Sequence, residues 1–366
     1  MADLFKETRI NGMALANRFV RSATWEGMAG DDGSATPRLI DCMVALARGG
    51  VGLIISSHTY VHRNGQAGPM QLGVYSDDLL PGLTAMADAV HQNNGKIVLQ
   101  LAHAGFFADA RLIGHPPLAV SNIAGISKSP RTELTLEMIG QIVRAFAEAA
   151  TRAKTTGFDG VQIHSAHGYL LSQFLSPAFN HRTDAYGGNI ENRARALKDV
   201  LRAVRDAVGP DYPVLVKMNC RDFIDNGLTP EDSLQVGRML AQGGINAIEL
   251  SGGVLTGAKL SPSRTGIHSE EKEAYFRQEA KAMREQTGVP LILVGGNRSF
   301  RVAEEIVSEG IADYISMSRP LIREPGLINR WKSGNLAKST CISDNQCFSP
   351  AMAGEGICCV TEKTNC

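Results

Sequence analysis

The chain has 366 residues, with 37 Lys plus Arg against 37 Asp plus Glu, so its formal net charge is zero. That balance argues against a nucleic-acid binder, which needs surplus cations to neutralise phosphates, and gives no attraction to an anionic membrane. Hydrophobic residues at 43% and charged residues at 20% exclude wholesale disorder. No apolar run approaches ~20 residues, so no membrane span is expected. The first eleven residues carry charge early and lack an apolar signal core, so a cytoplasmic location is expected.

In chain order, the first short apolar run is Arg18–Thr24. Thr36-Pro37 then offers an N-cap and a first-turn proline for a helix. Val51–Ser57 and Lys96–His103 are the second and third runs. Between Thr135 and Gly157, Met138, Ile139, Ile142, Val143, Phe146, Ala149 and Ala150 recur at helical spacing and stop at a glycine. Gly160–Ser165 is the fourth run, followed by a helical pattern over Asn192–Val208. Pro213–Asn219 is the fifth, followed by a helix start at Thr229-Pro230-Glu231-Asp232. Ala247–Gly252, Pro290–Gly296 and Asp313–Ser318 complete eight. Each is short and nearly continuous, as expected of strands covered on both faces.

Eight strand–helix alternations predict an α/β fold, a single (β/α)8 TIM barrel. The rival is an open doubly wound sheet, which usually carries Gly-x-Gly-x-x-Gly after its first strand; here that position reads Arg21-Ser22-Ala23-Thr24-Trp25-Glu26. The barrel is assigned to residues 1–334. Residues 335–366 form a short C-terminal appendage packed on or near it, holding five of the seven cysteines. An odd, tail-clustered count without a signal peptide does not read as a disulfide framework.

Chemistry in such a barrel is built where strands end. Gly295 and Gly296 after strand seven, with Ser318-Arg319 after strand eight, suggest a phosphate-bearing ligand, because glycine turns before helix starts expose backbone N–H groups. Two tight turns and a surface arginine is the alternative. His164, His167 and Tyr169 after strand four can donate to a substrate oxygen and give a proton. A metal pair or a structural polar cluster are the alternatives, and no Cys or carboxylate pattern completes a ligand set. Gln100 can read an imide edge and Lys217 can stabilise negative charge on a ring. With a phosphate site, that combination suits flavin mononucleotide.

The stretch His164-Ser165-Ala166-His167-Gly168-Tyr169-Leu170-Leu171-Ser172-Gln173-Phe174-Leu175-Ser176-Pro177, then Asn180 through Gly188 and Glu191-Asn192-Arg193, is long and specific. It resembles the Old Yellow Enzyme family of FMN-dependent NAD(P)H oxidoreductases (ene-reductases), in its bacterial branch with a His-x-x-His pair. The resemblance runs from Asn17-Arg18-Phe19 through Gln100–Gly105 to Arg319. It implies FMN as cofactor, NADH or NADPH as reductant, and an activated alkene as the small-molecule partner. By the same resemblance Gln100 bonds the flavin pyrimidine edge, and Lys217 stands near flavin N1 and O2. Gly295, Gly296 and Arg319 hold the phosphate, while Ser22, Ala23 and Thr24 line the flavin from strand one. His164 and His167 bind the substrate oxygen, and Tyr169 protonates the α carbon. A homo-oligomer, dimer or tetramer, is implied as well.

Four positions depart from the family pattern. Trp25 stands where Thr or Cys often tunes the flavin. His58 stands where a small residue packs near it, with a backbone contact expected to survive. Ser318 replaces a glycine before the strand-eight arginine. Cys341-x2-Asp344-x2-Cys347-x10-Cys358 resembles the four-cysteine iron–sulfur motif of larger relatives, with Asp344 in place of the second cysteine. Three thiolates and a carboxylate make a poor cluster site, so no metal is expected; zinc held with help from Cys359 or Asp344 is the alternative. Other functions to weigh are a reductase of enoyl or dienoyl thioesters or of an alicyclic or aromatic intermediate, a metal-dependent lyase or hydrolase, and a flavin redox sensor.

Overall fold

The computed structural model describes residues 4–123 and 129–361. All eight predicted strands are present and close into one parallel barrel in sequential order. They are β1 (Phe19–Arg21), β2 (Leu53–Tyr60), β3 (Ile97–Ala102), β4 (Gly160–Ser165), β5 (Val214–Asn219), β6 (Ala247–Ser251), β7 (Leu291–Val294) and β8 (Tyr314–Met317). The helices that follow them are α1 (Pro37–Arg48), α2 (Leu80–Gln92), α3 (Leu136–Thr155), α4 (Arg195–Val208), α5 (Pro230–Gln242), α6 (Arg277–Thr287), α7 (Phe300–Ser308) and α8 (Arg319–Arg323). Thr36, Thr135 and Thr229 cap α1, α3 and α5 through their side chains. Among the described residues no helix is long and apolar enough to cross a membrane.

Strand boundaries differ from the sequence reading where loops take over. β1 stops at Arg21: the Ser22 N–H still reaches the Met317 carbonyl, but Ala23 and Thr24 turn into the barrel mouth. β2 runs to Tyr60, beyond the predicted Ser57, through a bulge. Ile55 pairs with Val98 and His58 with Gln100, so β2 spends one residue more than β3 over the same rise. The predicted helix start at Asn192 belongs to a separate turn, Ile190–Arg193, capped by Asn189.

Side chains alternate across each strand, and the two faces carry different chemistry. Outward residues such as Leu99, Val161, Ile163, Val216, Ile248 and Leu293 pack under the helices in one continuous core. Inward residues begin apolar at the bottom, with Val20, Leu53, Val98, Leu215, Ala247, Ile292 and Tyr314 sealed below by Ile10, Met13 and Leu15 of an N-terminal hairpin. Two residues further along, the same inward face turns polar: Ser22, Gln100, Gln162, Lys217, Glu249 and Ser316, all at most 3% exposed. The barrel is thus a greasy plug below a polar layer, and the mouth opens above that layer.

After α8, Trp331 packs against Phe19 and Phe300 at ring distances of 5.4 and 5.7 Å. The tail then crosses the barrel mouth. Ser339 N–H reaches the Arg298 carbonyl, Gly266 N–H the Ser343 carbonyl, and Ile357 N–H the Glu26 carbonyl. Cys347, Ala351 and Ile357 form a small apolar cluster with Trp25, Met28 and Ile322. Residues 362–366, including Cys366, lie outside the described residues.

Candidate active site

A cavity of about 230 Å3 opens at the C-terminal ends of the strands. It collects Ser22, Ala23, Thr24, His58, Gln100, His164, His167, Tyr169, Lys217, Gly296, Ser318 and Arg319, from the ends of seven strands. Gly295 stands behind the lining. Its φ of +140° turns the chain, and a Cβ there would lie 3.0 Å from Phe276 and 3.1 Å from Tyr275. Gly296 faces the cavity at φ +80°, where a Cβ would meet Tyr275 at 2.8 Å.

The floor is one hydrogen-bonded network around Glu249, which is fully buried. Ser22 Oγ (2.6 Å) and Ser316 Oγ (2.8 Å) donate to its Oε1, and Gln162 Nε2 (2.9 Å) donates to its Oε2. Lys217 Nζ donates to Ser22 Oγ at 2.7 Å and lies 3.4 Å from Glu249. A carboxylate only accepts, so Gln162 must turn its amide N–H to Glu249 and its carbonyl to Gln100. That carbonyl takes Gln100 Nε2 at 2.6 Å, which leaves the Gln100 carbonyl and its second N–H for the cavity. Burial opposes ionisation of Glu249, but Lys217 and the three donors hold its carboxyl below the ordinary value. Burial likewise lowers Lys217, with Glu249 pulling the other way.

On the β4 side, His164 and His167 rings lie 5.4 Å apart, and His164 lies 5.0 Å from Tyr169. His167 adopts φ 64°, held by its N–H on Asn219 Oδ1 at 3.1 Å, and its Nε2 meets Ser251 Oγ at 2.8 Å. His164 Nδ1 is buried without a partner. Burial holds both imidazoles well below their usual pKa; the neighbouring His167 ring and Lys217 add to this for His164, and Lys217 and His58 for His167. They are therefore neutral donors at pH 7. Burial raises the Tyr169 hydroxyl, so that it carries its proton.

The β7–β8 side carries two cationic side chains. Arg319 and Arg298, 8% and 7% exposed, both line the cavity. Arg319 spends Nη1 on the Arg264 carbonyl and on Asn345 Oδ1, both at 2.8 Å, leaving its other donors open. The Gly296 and Asn297 amides have no partner among the described residues. Arg298 donates Nη1 to the Ile267 carbonyl and Nη2 to the Ser339 carbonyl, so it adds positive charge beside the site. Open backbone amides, the free donors of Arg319 and a glycine cradle that a Cβ would fill are the donor set an organic phosphate needs. Gln100 and Lys217, at the far end, match the polar edge of a flavin ring, so the cavity fits FMN.

A family model described as NADH:flavin oxidoreductase / NADH oxidase matches residues 3–338. The chain belongs to this family, that of the Old Yellow Enzymes. It is 37% identical over 350 residues to an NADH oxidase of Thermoanaerobacter brockii, covering 94% of this chain and 53% of that protein. It is 34% identical over 323 residues to an NADPH dehydrogenase of Bacillus subtilis, covering 88% and 92%. A solved 2-naphthoyl-CoA reductase complex superposes with TM-score 0.91 at 28% identity, covering 98% of this chain and 57% of that one. The chain thus spans about half the length of the NADH oxidase it matches.

Several residues of the cavity and of the buried network beneath it escaped the sequence reading. Glu249 and Gln162 interrupt otherwise apolar strands, which is a legible signal. Arg298 lies two residues after Gly296 and was readable by the same phosphate logic. Ser251 stands at the end of β6, whereas Tyr275, Ser343 and Phe348 reach the cavity only through the folding of loops and tail. Trp25 lines the cavity too, its Nε1 held by the Pro69 carbonyl at 3.2 Å. In the tail, Cys341, Asp344, Cys347 and Cys359 border a separate small cleft behind Arg319. Among the described residues no group of three or more His, Cys, Asp or Glu is arranged to hold a metal ion.

Proposed function

We propose that the protein is an FMN-dependent oxidoreductase that reduces activated carbon–carbon double bonds, in α,β-unsaturated carbonyl or nitro compounds, with NADH or NADPH as reductant. The observation that carries this reading is the meeting, in one cavity, of a phosphate-type end, a Gln100–Lys217 ring edge and a neutral His164–His167–Tyr169 set. When bound, FMN supplies the hydride chemistry that no side chain provides. Gln100 holds the pyrimidine edge of the ring, and Lys217 stabilises negative charge there. Ser22, Ala23, Thr24 and His58 flank the ring. Gly296, Ser318 and Arg319 hold the phosphate, with Gly295 shaping the turn behind them. His164 and His167 donate to the carbonyl or nitro oxygen of the substrate, where negative charge builds as hydride adds; two neutral donors aimed there stabilise it without reorganisation. Tyr169 gives its hydroxyl proton to the carbon α to that group.

The experiment is direct. Purified protein should be yellow, or become so with FMN, and should oxidise NAD(P)H in the presence of cyclohexenone or an enal. Protein that stays colourless with FMN refutes the reading. A second reading keeps the cavity and changes the substrate to an enoyl or aromatic thioester, supported by the likeness to 2-naphthoyl-CoA reductase over 98% of the chain. Turnover of an enoyl thioester with indifference to simple enones would favour it. Both readings include a cytoplasmic homo-oligomer, dimer or tetramer, a point that sedimentation measurements decide.

A further inference from the structure

His58 flanks the ring site in the proposed reaction, but its imidazole has no part there in moving a proton. The bulge in β2 delivers it there: one extra residue between Ile55 and His58 sets His58 opposite Gln100 and turns its ring into the mouth. Bulges of this kind re-aim side chains beside active sites. Its backbone is fixed as well, because Gln71 Nε2 donates to the His58 carbonyl at 2.9 Å. The ring then meets one partner. His58 Nε2 lies 3.2 Å from the Tyr169 hydroxyl, with ring centroids 5.5 Å apart. Among the described residues, His58 Nδ1 has no protein partner, and it is not a buried unsatisfied atom.

We propose that His58 is a positioning residue that recharges Tyr169 with a proton, an inference that rests on the alkene-reductase reading above. The Tyr169 O–H bond breaks as the new C–H bond forms on the substrate. The His58 Nε2–H bond then breaks as the Tyr169 O–H bond re-forms. A cavity water gives a proton to His58 Nδ1, so the net proton comes from solvent and one hydroxide is left there. Exchange with water returns the ring to its Nε2–H tautomer. The order of hydrogen bonds follows. For Tyr169 to aim its proton at the substrate, its oxygen must accept from His58, and only a neutral Nε2–H tautomer can both donate there and accept at Nδ1. Burial, and secondarily the charge of Lys217, bring His58 down to about 4, which keeps the ring in that neutral form. The groups facing it are Gln100 on β3, Tyr169 and His164 on the β4 side, and Lys217 on β5.

Two measurements test this on the FMN-loaded protein. In the first, the reduced enzyme is mixed anaerobically with cyclohexenone, and with an enoyl thioester in parallel. His58→Ala should slow reoxidation about 100-fold, the scale of one acid–base group, and added imidazole should restore a good part of the rate. His58→Gln keeps an N–H donor at the Nε2 position but cannot relay, so it should stay slow. Wild-type rates in His58→Ala, or full recovery in His58→Gln without imidazole, would overturn the relay. In the second, nitrogen-15 spectra of histidine-labelled protein should show His58 as the Nε2–H tautomer at pH 7, with shifts that move in Tyr169→Phe. An Nδ1–H tautomer, or no response to Tyr169→Phe, would overturn it. If wild-type protein reduces neither alkene, the reductase reading fails, while the spectra still decide the His58–Tyr169 pair.

Discussion

The Lys217–Glu249 pair should behave as one unit in a double-mutant cycle. The two groups are 3% and 0% exposed and 3.4 Å apart. With an effective dielectric of about 20, their attraction is about 5 kcal/mol. Desolvation offsets much of that in the intact pair, but removing one partner leaves the other charge buried. Glu249→Gln strands the Lys217 ammonium with Ser22 Oγ as its remaining partner, and Lys217→Met strands the Glu249 carboxylate. Each single change should cost about 3–5 kcal/mol, the usual penalty for breaking a buried pair. The double variant should cost less than the sum by about 3 kcal/mol, because it leaves no stranded charge. The assay is urea unfolding of the four flavin-free proteins, with slopes checked for constancy. Additivity within about 0.5 kcal/mol would refute the reasoning and show that the two charges do not feel each other.

His103 and His164, 1% and 4% exposed, are held neutral by burial, His103 down at about 3 and His164 well below 6.5. Below pH 6.5 the unfolded chain therefore binds protons that the fold refuses. Stability should be full above that pH and fall as pH decreases, by about 1.4 kcal/mol per pH unit for each imidazole. A flat urea midpoint between pH 7.5 and 5.5 would contradict this. Tyr169→Phe should slow reoxidation by the alkene by about two orders of magnitude while NAD(P)H still bleaches the flavin, as stopped-flow absorbance can follow; equal losses in both half-reactions would remove Tyr169 as proton donor. Gly296→Ala places a Cβ 2.8 Å from Tyr275 at φ +80°. If the about 1–2 kcal/mol of backbone strain is relieved by moving the turn out of its phosphate-binding form, FMN affinity should fall about five- to thirtyfold, read by fluorescence titration.

The barrel was legible in the sequence because its strands are buried on both faces. Continuous apolar runs such as Val214–Val216 or Leu291–Val294 have few other uses, and glycines and threonine caps punctuate them at the right spacing. The ends of those runs exposed Gln100, Lys217, His164, His167 and Arg319, because a polar group at a strand end is conspicuous. The resemblance then supplied roles for them. Gly295 and Gly296 show the limit of that logic. Adjacent in sequence, they differ in the fold: one shapes the turn and the other faces the cavity.

What one-dimensional pattern determined, then, was the repeating unit and the residue types at its ends, since both follow from local periodicity and turn chemistry. Tertiary structure alone decided who meets whom. Glu249 joins Ser22, Gln162, Lys217 and Ser316 because barrel closure brings five strands to one level. Asn345 reaches Arg319 because the tail folds back over the mouth. His58 reaches Tyr169 because one extra residue in β2 rotates it inward. Such contacts span 26 to 227 residues of chain, and no local rule of propensity encodes a distance across a closed barrel.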